Sequence, residues 1–118
     1  MGSTINVMGG QPQGYVCDAS AAYENAHVLR NAAGTLLFLS GYNSGPDQFI
    51  QVHDKLAALA NNDVPKLVFF VPTLSNFSFV IPVGGYACKL GIQISNSTTG
   101  PVLTQGVANV FFTWAHCN

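Results

Sequence analysis

Apolar residues along this chain recur at every second position in short runs. Turn-forming residues separate the runs. The pattern predicts strands at AHVLR (26–30), TLLFLSGY (35–42), QFIQVHD (48–54), VPKLVFFVP (64–72), NFSFVIP (76–82), ACKLGIQISNS (87–97) and VANVFFTWAH (107–116). Asn-Ser-Gly-Pro (43–46), Thr-Leu-Ser-Asn (73–76), Gly84-Gly85 and Thr-Thr-Gly-Pro (98–101) supply the breaks, and the two glycines read as a hairpin turn. In 48–54, Ile50 and Val52 take one face while Gln51 and His53 take the other. In 87–97, Ile92 and Ile94 face in while Gln93 and Ser95 face out. The one helix-like piece, DKLAALANND (54–63), is too short to stand alone and reads as a loop. Seven or eight short strands with no long helical period give an all-β fold class: a single-domain antiparallel β-sandwich, jelly-roll-like. The domain spans 26–118. Residues 1–25, rich in Gly, Ser, Asn and Gln, form an extended N-terminal arm, with Asp18 as the cap of a short helical turn.

Some runs break the alternation. In LLFL (36–39), Leu36 and Phe38 point one way and Leu37 and Leu39 the other. In LVFFV (67–71), Leu67, Phe69 and Val71 oppose Val68 and Phe70, and Val110–Phe112 is likewise continuous. A sandwich strand hides one face only. Each large apolar side chain taken out of water contributes about 1.5–3 kcal/mol. Leu37, Leu39, Phe69, Phe70 and Phe112 are therefore the expected contacts to another chain, and a symmetric homo-oligomer is the expected partner state.

Composition supports that expectation. Charged residues are 8% of the chain, against roughly 25% in an average soluble protein. Such a surface gives a free monomer little colloidal protection. With four Lys and Arg and a net charge of −1 there is no basic patch, so nucleic acid is not an expected partner. No run reaches the roughly 20 apolar residues of a membrane-spanning helix, and no membrane partner is expected. The start MGSTINVMGG lacks the charged and apolar parts of a signal peptide, so synthesis in a cytoplasm is expected. Cys17, Cys88 and Cys117 are then free thiols, and the sequons at Asn76 and Asn96 are coincidental.

Candidate chemistry is thin. His53 and Asp54 are adjacent, so on a strand they point to opposite faces and cannot act as a pair. His27, His53, His116 and the cysteines show no metal-ligand spacing. Asp47 and Asp63 have too few neighbouring carboxylates for calcium. Trp114, Tyr42, Tyr86 and Phe77 are candidates for stacking on a sugar ring. No enzyme and no cofactor is expected.

The order GYNSGPDQFIQVHD, VPKLVFFVP followed by SNFSF, then GIQISNSTT, across roughly residues 35–113, resembles small β-rich structural proteins of tailed bacteriophages. The resemblance implies a virion component made in a bacterial host cytoplasm: a capsid decoration (cement) protein bound to the major capsid protein. The alternative it implies is a receptor-binding or fibre domain that recognises host-surface glycans.

Overall fold

A computed structural model describes residues 16–81 and 84–117. Among them are nine strands: β1 (Val16–Ala19), β2 (Ala26–Arg30), β3 (Gly34–Asn43), β4 (Gln48–His53), β5 (Leu67–Val71), β6 (Ser75–Val80), β7 (Tyr86–Cys88), β8 (Ile92–Ser97) and β9 (Val110–Cys117). They form two antiparallel sheets. The first runs β1-β9-β3-β6, with β7 also on β3; the second runs β2-β8-β4-β5. Apart from β4 to β5, and β6 to β7 along β3, every connection crosses between sheets. That ordering is the jelly roll, two interleaved Greek keys.

The core forms because inward residues of both sheets interdigitate. Leu36, Leu39, Phe112 and Trp114 from the first sheet meet Ile50, Val52, Ile92 and Ile94 from the second, and all are buried. One side of the sandwich is closed by Phe69 of β5 stacked on Phe79 of β6, with ring centroids 4.2 Å apart. The other is closed by His27 of β2 against Trp114 of β9 at 4.6 Å. Gly41 lies between Phe112 and Phe77 in the ladder, and a Cβ there would strike the Phe111 carbonyl and the Phe77 ring.

Four expectations change. Residues 16–25 are part of the sandwich: β1 pairs with β9, and Glu24 bridges Val110. Asp18 accepts only the Ala19 N–H, and no helix occurs among the described residues. The rest of the expected arm, residues 1–15, lies outside the described residues. Secondly, Gly84-Gly85 does not turn a hairpin. β6 and β7 both run antiparallel to β3, so they are two pieces of one interrupted edge strand. Gly85 has φ 76°, and a Cβ on it would sit 2.6 Å from the Leu36 carbonyl oxygen. Only glycine meets both demands.

Thirdly, 87–97 is two strands in different sheets, broken at residues 89–91. Fourthly, β3 does not alternate through LLFL. The register against β9 slips between Ala115 and His116, which pair with Phe38 and Leu36, leaving Leu37 as the extra residue. This bulge puts both Leu36 and Leu39 into the core at 0% exposure.

Candidate functional site

The His53-Asp54 pair divides its work. His53 lies on the outer face of the second sheet, yet only 2% of it is exposed. The β4–β5 loop (54–66) and the β8–β9 loop (98–109) roof this face. They are joined by Asn62 N–H to the Leu103 carbonyl and Leu103 N–H to the Asp63 carbonyl, with Leu103 fully buried. Buried loop backbone must find partners. The side chains read from sequence as a polar outer face supply them. Gln51 Nε2 donates to the carbonyls of Thr99, Gly100 and Val102, and Gln93 Nε2 donates to those of Lys55 and Ala57. With its amide nitrogen so committed, Gln51 offers only Oε1 to His53, 3.0 Å away. His53 Nε2 therefore carries a proton and donates it to Gln51 Oε1. Burial holds His53 below its ordinary pKa; Asp63 pulls it up and Lys55 down.

Asp54 holds the crossing between sheets. Its carboxylate accepts the N–H groups of Lys89 and Leu90, both at 2.8 Å, and of Gly91 at 3.2 Å. Burial works to raise this carboxyl, but those three donors and Lys66 outweigh it and keep it below the ordinary range. Asp63, bonded by Lys55 Nζ at 2.7 Å and by the Ala60 N–H, is also held low.

Asn43, whose sequence neighbours gave only a turn, is a buried hub. Its Nδ2 donates to the Pro46 carbonyl at 2.8 Å and the Pro72 carbonyl at 3.0 Å. Its Oδ1 accepts from Gly45 N–H and Gln48 Nε2. Gln48 continues to Asn109, and Asn109 to Asn96. This amide relay ties three sheet-crossing loops at one end of the sandwich. No pattern of hydrophobicity marks it.

Among the expected contact residues, Leu39 and Phe112 are wholly in the core. Phe69 faces inward on Phe79. Leu37 is half-buried against Gly85, in the bulge. Phe70 is different. β5 is an edge strand, and on its outer face Phe70 is 54% and Val68 40% exposed, with Phe49 set edge-on to Phe70 at 5.6 Å. Both faces of β5 are thus apolar, as the sequence pattern required, and among the described residues only one is covered.

A second surface lies on the outer face of the first sheet. Cross-strand registers set three rows there: Phe111–Tyr42–Asn76, Thr113–Ser40–Ser78 and Ala115–Phe38–Val80. β3, β6 and β9 contain no Lys, Arg, Asp or Glu, so the rows are uncharged. Tyr23, 49% exposed, leans on Phe111, with centroids 5.7 Å apart and planes at 48°; Tyr42 follows at 6.1 Å. Beside them is an open hollow of about 330 Å³ lined by Ser20, Ala21, Ala22, Tyr23 and Phe111. Of the sugar-stacking candidates, only Tyr42 belongs to this surface. Trp114 and Phe77 are buried, and Tyr86 packs on the core. No local pattern marks Tyr23 and Phe111, because the hollow joins the β1–β2 connection to β9, far along the chain.

Cys88 is buried, and that burial, with Asp54 adding to it against Lys66, raises its thiol to about 11, which makes it a poor nucleophile. His116 is held low by burial and by Arg30, against the Leu29 carbonyl, and its Nδ1 has no partner among the described residues. No group of three or more His, Cys, Asp or Glu converges as a metal site among the described residues. The chain matches no known protein family, no curated protein and no solved structure.

Proposed function

We propose that this chain is a virion structural protein of a tailed bacteriophage, a decoration (cement) protein that binds the outer surface of the capsid and stabilises capsomer junctions. The observation that carries the reading is β5: an edge strand with no further strand partner among the described residues, and an outward Phe70–Val68–Phe49 patch. A free edge offers strand pairing, and exposed rings offer area; both are terms of assembly. A homotrimer, with the major capsid protein beneath it, is the proposed state, since shells present threefold positions and several weak contacts then act together.

The test is a binding assay on purified particles stripped of the protein. Wild type should rebind at hundreds of copies per particle, and Phe70→Asp should not. Equal rebinding by a folded Phe70→Asp variant would defeat the reading. A second reading, a receptor-binding or fibre domain for host glycans, is favoured by the exposed rings of Tyr23 and Phe111. It predicts a few to some dozens of copies per particle.

A further inference from the structure

We propose that the hollow beside Tyr23 and Phe111 is a binding site for a neutral pyranose, with the sugar's apolar face stacked on the two rings. The proposal rests on the glycan reading and not on the decoration reading. Tyr23 and Phe111 stand at 48° to each other, so they form an open V rather than a closed stack. Both keep a large exposed fraction, although covering an aromatic ring is strongly favourable. The C–H face of a pyranose fits such a wedge, because ring and sugar each bring an apolar face edged by polar groups.

The hollow's floor is built for close approach. Ala21 and Ala22 project only methyl groups, and their backbone N–H and C=O groups make no hydrogen bond among the described residues. They are free for sugar hydroxyls, as is the Tyr23 hydroxyl at the rim. The floor is also fixed in place. Ser20 Oγ donates to the Glu24 carboxylate and accepts the Phe112 N–H at 3.1 Å, and His27 Nδ1 lies 2.9 Å from the same carboxylate. Ser20 N–H and Glu24 N–H bond the carbonyls of Phe112 and Val110. Ser20, Glu24 and His27 are thus positioning residues. At about 330 Å³, the space is at the small end of ligand sites and suits one ring rather than a long chain.

Charge decides the class of sugar. The four cationic residues are Arg30, Lys55, Lys66 and Lys89, and none lies in the three rows of this face or in the hollow's lining. The Glu24 carboxylate, bonded to Ser20 of the lining, disfavours anions. Sialic acid and sugar phosphates would therefore meet no counter-charge, whereas uncharged hexoses would lose nothing.

The experiment is a titration of the ¹⁵N-labelled full chain with the methyl glycosides of glucose, galactose and N-acetylglucosamine, and with sialic acid, followed by amide shifts. A single open-sided ring should bind in about the millimolar range. The expected result is movement of the Ala21, Ala22, Tyr23 and Phe111 amides with at least one neutral sugar. Tyr23→Ala and Phe111→Ala should weaken it about tenfold. Tyr23→Phe should keep the stacking, and Phe70→Asp should bind as wild type. Shifts confined to another surface, or seen only with sialic acid, would overturn the inference and leave the glycan reading standing. No shift with any sugar up to ~50 mM, together with a blank glycan array, would overturn both.

Discussion

Acid should weaken this fold well before its carboxylates titrate. The perturbation is protonation of two buried histidines, His53 and His116, whose pKa values the fold depresses. A group with a lowered folded pKa binds its proton more readily when unfolded. For a histidine this means the stabilisation is complete above the unfolded pKa of about 6.5 and is lost as the pH falls below it, until the folded pKa is reached. Each histidine costs up to about 1.4 kcal/mol per pH unit in that window. Between pH 7.5 and 5.5 the loss is bounded at about 1.4 kcal/mol per site by the unfolded pKa of about 6.5, against the roughly 5–15 kcal/mol typical of a domain. Asp54 and Asp63 do not confuse the result. Their lowered pKa values contribute stability that is present above the unfolded carboxyl range and lost only nearer pH 4 and below. The assay is urea unfolding at half-unit pH steps. The midpoint should fall steadily from pH 7.5 to 5.5. His116→Leu should remove its share of that dependence, since its ring bonds no side chain and the position is buried. A midpoint that does not move, or that rises on acidification, would refute the claim that these rings are held neutral.

Two further substitutions separate the faces and the loops. Phe69→Asp should unfold the chain or cost more than about 3 kcal/mol, because its ring stacks on Phe79 between the sheets; Phe70→Asp should lie within about 1 kcal/mol of wild type, with both read by thermal melts. Should the two melt alike, the assigned register of β5 is wrong. Asn43→Ala should cost about 1–3 kcal/mol, since it removes a fully buried amide that bonds the Pro46 and Pro72 carbonyls, the Gly45 N–H and Gln48 Nε2. A loss under about 0.5 kcal/mol in chemical denaturation would show that the amide relay is not what ties the loops.

The alternation of apolar and polar residues was enough for an all-β sandwich, and the turn formers placed most strand limits. Period-two patterning is a local consequence of the pleat, so it can be read along the chain. It also gave the two apolar faces of β5 correctly, where the strand is regular. It failed at Leu37–Leu39 because one bulged residue reverses every side chain beyond it, and that slip is decided by the opposite strand, β9. It failed at Gly84-Gly85 because two glycines look the same in a hairpin and in the interruption of an edge strand; pairing with β3 decides between them.

Burial of the polar side chains was likewise settled only in three dimensions. Gln51, His53 and Gln93 point outward as the pattern requires, yet the loops that cover them come from residues 54–66 and 98–109. A sequence shows which side of a strand a residue takes, but not whether a distant loop will lie over it. The same holds for the Tyr23–Phe111 wedge, whose two halves lie 88 residues apart (111 less 23). Local chemistry determined the class of fold; long-range closure of the two sheets decided which residues face the world.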